Sequence, residues 1–121
     1  MQELKDKVAI VTGATRKRGL GRAIALALAS GGANVVVTGN SRSASRIPED
    51  ETASGWRGLP DVVAQIEALG VEAQAIYADV TSSDEVQRMV RETLDRFGRI
   101  DILVNNATYP RGADRVPLVD L

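Results

Sequence analysis

Ten consecutive residues hold most of the chemistry that can be read from this chain: Thr12-Gly13-Ala14-Thr15-Arg16-Lys17-Arg18-Gly19-Leu20-Gly21. They lie between an apolar run, Val8-Ala9-Ile10-Val11, and an Ala-rich run, Arg22-Ala23-Ile24-Ala25-Leu26-Ala27-Leu28-Ala29. Gly13 can turn sharply off a strand end, and Gly19 and Gly21, lacking a Cβ, let backbone N–H groups and a following helix approach closely. A helix N-terminus adds unpaired N–H groups and the positive end of a dipole. A glycine-rich turn in that place is suited to an anion, above all the pyrophosphate of a dinucleotide. On this reading Gly13, Gly19 and Gly21 shape the pyrophosphate turn, and Thr15 and Leu20 belong to the same cofactor-binding set. A tight turn with no ligand would use the same glycines. A kinase or NTPase loop is disfavoured, because no Gly-Lys-Ser/Thr is present to hold magnesium and a terminal phosphate.

The ribose end of such a site is read at the tip of the second strand, where NAD-binding chains place a carboxylate. Here the tip is Thr38-Gly39-Asn40-Ser41-Arg42, with no acid. Arg16, Lys17, Arg18 and Arg42 offer positive charge instead. A 2′-phosphate suits arginine through charge-assisted, often bidentate hydrogen bonds. This favours NADP over NAD as the cofactor; the bland alternative is a set of solvated loop cations.

The elements that must position these residues follow from pattern. Residues 8–11 are continuously apolar, as in a strand buried on both faces. The helix of residues 20–30 repeats small residues at Gly21, Ala25 and Ala29, so that one face can lie close to a sheet, and Gly31-Gly32 stops it. Residues 35–38 are a β-branched strand. Residues 41–59 show no periodicity and read as a long loop insertion, functional or mobile. Pro60 opens a helix whose stripe is Val63, Ile66 and Leu69, ending at Gly70. Residues 73–78 form a short strand. Ser82 and Glu85 form a capping-box pattern ahead of a stripe of Val86, Met89, Val90, Thr93, Leu94 and Phe97, with Gly98 as the stop. Residues 100–104 are a fourth strand. Alternation of strands and helices predicts an α/β fold, the first half of a Rossmann-like doubly wound parallel sheet with about four strands and three helices. Residues 1–121 make one NAD(P)-binding domain.

Composition bounds the rest. The chain has 121 residues, 44% hydrophobic and 26% charged, with a net charge of -1. No basic field argues for nucleic acid. No apolar run is long enough for a membrane span, and the polar N-terminus lacks a signal-peptide segment. The sequence contains no Cys and no His, which removes thiol and imidazole chemistry and the usual zinc ligands. A cytoplasmic protein is expected.

The ordered set Thr12-Gly13 with Gly19-Leu20-Gly21, then Asp79-Val80, then Asn105-Asn106-Ala107 resembles the short-chain dehydrogenase/reductase family across nearly the whole chain. The stretch Phe97-Gly98-Arg99-Ile100-Asp101-Ile102-Leu103-Val104-Asn105-Asn106-Ala107 is especially similar. The resemblance implies an NADP-dependent oxidoreductase acting on a carbonyl or alcohol, with 3-oxoacyl thioesters, sugars, steroids and small ketones among the family's substrates. It implies a homo-oligomer at full length. By the same resemblance Asp79 bonds the adenine amino group and Val80 lines its pocket. Asn105 ties the fourth strand to the first near Thr12, and Ala107 lies along the cofactor. Arg18 stands where NADP-preferring members often carry a basic residue.

Three departures stand out. Five residues separate Gly13 from Gly19 where the family usually has three, which reads most simply as a two-residue expansion, although the longer spacing also resembles the family's divergent branch. Thr108 replaces a glycine. The family's catalytic Tyr with a Lys four residues later is missing, since Tyr77 is followed at that offset by Thr81 and Tyr109 by Ala113. Family members continue well beyond this length, so the chain reads as an N-terminal fragment ending after the fourth strand. It is expected to show no family-type turnover and to expose the fourth strand as an association-prone edge. A non-catalytic dinucleotide-binding module, or the remnant of a truncated gene, is the alternative.

Overall fold

Valine, isoleucine and alanine dominate four short segments, and these assemble into one parallel sheet. The computed structural model describes residues 2–40 and 47–107. Its elements are β1 (Val8–Thr12), α1 (Leu20–Ser30), β2 (Asn34–Gly39), α2 (Glu49–Ala53), α3 (Leu59–Glu67), β3 (Ala73–Tyr77), α4 (Ser83–Phe97) and β4 (Ile102–Val104). The strand order is β3-β2-β1-β4, every pair parallel. The doubly wound sheet expected from the alternation is therefore formed, with β1 and β2 innermost. Their residues are almost wholly buried, and each buried Val or Ile contributes about 1.5–3 kcal/mol relative to exposure.

Strand periodicity sends alternate side chains to opposite faces. Val11, Val35 and Val37 meet Ala25 and Ala29 of α1 and Leu59, Val62 and Ile66 of α3 on one face. Ile10, Val36 and Ile76 meet Met89 of α4 on the other. The small residues Gly21, Ala25 and Ala29 are the buried ones of α1, as their four-residue spacing predicts.

Four details differ from the pattern-based expectation. A fourth helix, α2, lies inside the stretch expected to be a plain loop, and α3 takes Leu59 from its end. Pro48 followed by three acids supplies the N-terminal signal for α2, since acids in a first turn complement the helix dipole. The inward stripe of α3 is Leu59, Val62 and Ile66, because the core meets the side of the helix that carries Val62 and leaves Val63 half-buried at its margin and Leu69 exposed. On α4 only Met89 and Thr93 are buried, and Leu94 is exposed. Finally, β4 begins at Ile102 because Asp101 turns its carboxylate back on β1, where Oδ2 accepts from Val8 N at 2.9 Å.

The capping box forms by half. Glu85 N donates to Ser82 Oγ at 3.3 Å, but the Glu85 carboxylate accepts from Asp79 N at 3.0 Å rather than returning to Ser82. Among the described residues no helix is long and apolar enough to cross a membrane.

Candidate functional site

The site lies where β1, α1 and β4 converge at the carboxyl ends of the strands. Gly13 leaves β1 with φ +69°, a conformation that side chains disfavour. A Cβ built there would stand 2.8 Å from the Ala107 Cα, and one on Gly21 would stand 2.5 Å from the Gly13 carbonyl oxygen. Both glycines are thus demanded by close approach of backbone to backbone.

Thr12 organises the same corner. Its hydroxyl donates to the Val104 carbonyl at 3.3 Å and accepts from the N–H groups of Asn106 and Ala107, each at 3.0 Å. The Asn106 side-chain amide donates to the Gly13 carbonyl at 3.0 Å. The tie between the first and fourth strands, expected of Asn105, is made by its neighbour Asn106, while Asn105 is exposed. The two residues are indistinguishable by type, and only the chain's path past Thr12 selects between them.

The N-terminus of α1 is open. Gly19 is its N-cap without a side-chain hydrogen bond, no acid occupies its first turn, and Leu20 is 67% exposed. Thr15 is buried, and its hydroxyl has no hydrogen-bond partner among the described residues; the same is true of Thr38 at the end of β2. Orphaned buried hydroxyls are uncommon and call for an explanation. Unpaired helix N–H groups and a nearby orphan hydroxyl fit the phosphates of a dinucleotide.

The cations of the loop lie beside the segment around α2. The residues between Gly13 and Gly19 are bound to the segment around α2. Glu51, 1% exposed, accepts from Lys17 N at 2.7 Å and from Arg18 N at 3.2 Å. Burial pushes its carboxyl upward, but those two N–H groups and the charges of Arg16 and Arg18 outweigh it and hold the group below its ordinary range. The Arg18 guanidinium pairs with Asp50 and lies 3.6 Å from Glu51. Trp56 Nε1 donates to the Thr15 carbonyl at 2.8 Å. Lys17, Arg18, Asp50, Glu51 and Ser54 line a shallow cavity of about 210 Å³. Arg16 is exposed. Arg42 lies outside the described residues.

Asp79 closes the turn after β3, where its Oδ1 accepts from Thr81 N at 2.9 Å and from Thr81 Oγ1 at 2.6 Å. Val80 beside it is 45% exposed. Thr12, Glu51, Trp56 and Asn106 were not picked out as site residues by pattern. A single Trp in a chain with 3% aromatics is itself a signal, since so large an apolar group is rarely left in solvent.

Comparison with known proteins agrees with this geometry. A family model described as short chain dehydrogenase matches residues 7–119. A 3-oxoacyl-[acyl-carrier-protein] reductase of Synechocystis sp. is 45% identical over 111 residues, covering 92% of this chain and 39% of the relative. A short chain dehydrogenase from Burkholderia cenocepacia, solved in complex with NADP, superposes with a TM-score of 0.71 at 40% identity, covering 98% of this chain and 43% of that one. An NAD+-bound xylitol dehydrogenase superposes with a TM-score of 0.69 at 34% identity, covering 88% of this chain and 35% of that one. The chain thus spans about two fifths of the length of the relatives it matches.

Proposed function

The chain belongs to the short-chain dehydrogenase family, and from that premise we propose that it is the cofactor-binding portion of an NADP-dependent oxidoreductase acting on a carbonyl or alcohol. The observation that carries this is the open, uncapped N-terminus of α1 beside the Gly13–Gly21 contact. Bound there, the nicotinamide cofactor would supply or accept hydride. The chain's own residues do the holding. Gly13, Thr15, Gly19, Leu20 and Gly21 form the phosphate cradle, Asp79 and Val80 take the adenine, and Ala107 borders the cofactor. Arg16 and Arg42 are the cations for a 2′-phosphate. The 3-oxoacyl thioester class is the favoured substrate, supported by the name of the Synechocystis relative.

Titration with NADPH and NADH tests this reading. We expect NADPH to bind about tenfold tighter or better, a difference of about 1.4 kcal/mol, which one charge-assisted contact can supply. Equal or tighter NADH binding would defeat the NADP assignment, as the NAD+-bound neighbour illustrates.

A further inference from the structure

Two peculiarities of the sequence, the lengthened glycine loop and the stretch before α3, are physically one unit. We propose that residues 47–59 are a clasp that positions the glycine loop, with Glu51 as its anchor, and that the clasp removes Arg18 from recognition of the cofactor's 2′-phosphate. This rests on the dinucleotide reading of the site.

The lengthened loop creates a problem that the clasp solves. Additional residues bring additional backbone N–H groups, and these must find acceptors. The N–H groups of Lys17 and Arg18 find one acceptor group, the Glu51 carboxylate. A carboxylate buried to this degree has to be paired, so each side of the contact requires the other. The remaining contacts repeat the theme. Trp56 holds the Thr15 carbonyl, and Lys17 Nζ donates to Ser54 Oγ at 3.4 Å. Arg22 donates to the Lys17 carbonyl at 3.2 Å while its guanidinium lies 5.8 Å from the centre of the Trp56 ring. Trp56 itself is part of the core beneath α1 and α3, so the clasp is rooted in the domain rather than resting on it.

The consequence for recognition is specific. Glu51 takes the anion-binding face of the middle of the loop, and no clasp acid is bonded to the first turn of α1. The pyrophosphate is therefore left the helix N-terminus. Arg18 and Arg16 are both exposed, but the Arg18 guanidinium already faces Asp50 and Glu51, whereas Arg16 makes no ion pair among the described residues. Glu51 is a positioning residue, acting on the cofactor through Lys17 and Arg18.

The test measures NADPH and NADH affinity of the protein and of Glu51→Ala, Glu51→Gln and Arg18→Ala, together with Trp56 emission and far-UV circular dichroism. Glu51→Ala should weaken both dinucleotides about tenfold and shift the emission of the single Trp to the red, with the circular dichroism unchanged. Glu51→Gln, which keeps the volume and loses the charge, should fall between. Arg18→Ala should leave the NADPH-to-NADH ratio where it is. Unchanged or tighter binding by Glu51→Ala overturns the clasp, tighter binding meaning that Glu51 competes with phosphate. Selective loss of NADPH in Arg18→Ala overturns the assignment of Arg18. If Glu51→Ala loses its secondary structure, Glu51→Gln carries the same test. Should the parent protein bind neither dinucleotide, the cofactor reading fails and the clasp is judged by the emission alone: a red shift supports it and an unmoved spectrum overturns it.

Discussion

The two faces of the sheet are finished to different degrees. On the face of α1 and α3, Val11, Val35, Val37, Leu59, Val62 and Ile66 are at 0% exposure, and Trp56 and Leu4 extend the cluster outward. On the face of α4 the cluster is small, and Leu94 and Leu103 are 43% and 55% exposed. Leu103 pairs in register with Ile10, which α4 covers to 1% exposure, so the same face is closed over the inner strand and open over the edge. Two helices and the clasp serve one face and a single helix the other. The face that carries the glycine loop is thus supported from behind by a complete core, and rigidity at the loop is what a preorganised anion site needs.

Mutations can sharpen or break this contrast. Ile66→Ala, on the closed face, should cost about 2–5 kcal/mol in denaturant-unfolding stability, because neighbours held by two helices cannot collapse into the cavity. Gly21→Val should cost about 1–3 kcal/mol by overpacking and abolish dinucleotide binding, since its side chain would displace the Gly13 carbonyl; retained affinity would mean the loop is softer than the contacts indicate. Acidification comes next. Glu51 has a folded pKa below its ordinary 4.5, so its stabilising contribution is complete above that value and is lost as the pH falls through the folded pKa. Trp56 emission should therefore move to the red only in acid below about 4.5, and a shift centred near neutrality would contradict the assignment. Asp101 behaves with the same sign, its carboxyl held low first by the Arg99 guanidinium and then by the Val8 N–H. The smallest effects belong to the open face. Leu94→Ala and Leu103→Ala should stay within about 0.5 kcal/mol. A core-sized penalty at Leu103 would show that the two faces are equally closed.

Much of the fold was legible because burial imposes period. The strands at β1 and β2 read directly from unbroken Val and Ile, and the bounds of α1 from Ala spacing and the Gly31-Gly32 stop. The site was legible in its glycines for the same local reason, since Gly13 and Gly21 serve backbone geometry. Less legible were the partners. Residues 49–53 are too few to show helical periodicity, and the pairing of Glu51 with Lys17 and Arg18 spans more than thirty positions. Type and position suggest Arg18 as a phosphate ligand; its pairing with Asp50 spans a separation that no local pattern displays.

By itself, then, the sequence determined the alternating architecture, the family resemblance and a glycine corner suited to a dinucleotide, because these depend on local sterics and on periods of 2 and 3.6 residues. Tertiary structure alone decided that Asn106 rather than Asn105 ties β4 to β1, that α3 turns Val62 inward, and that the lengthened loop is held by Glu51 and Trp56. Those outcomes turn on which donor meets which acceptor once distant segments are packed. Like residues at neighbouring positions compete for the same role, and only the folded path of the backbone separates them.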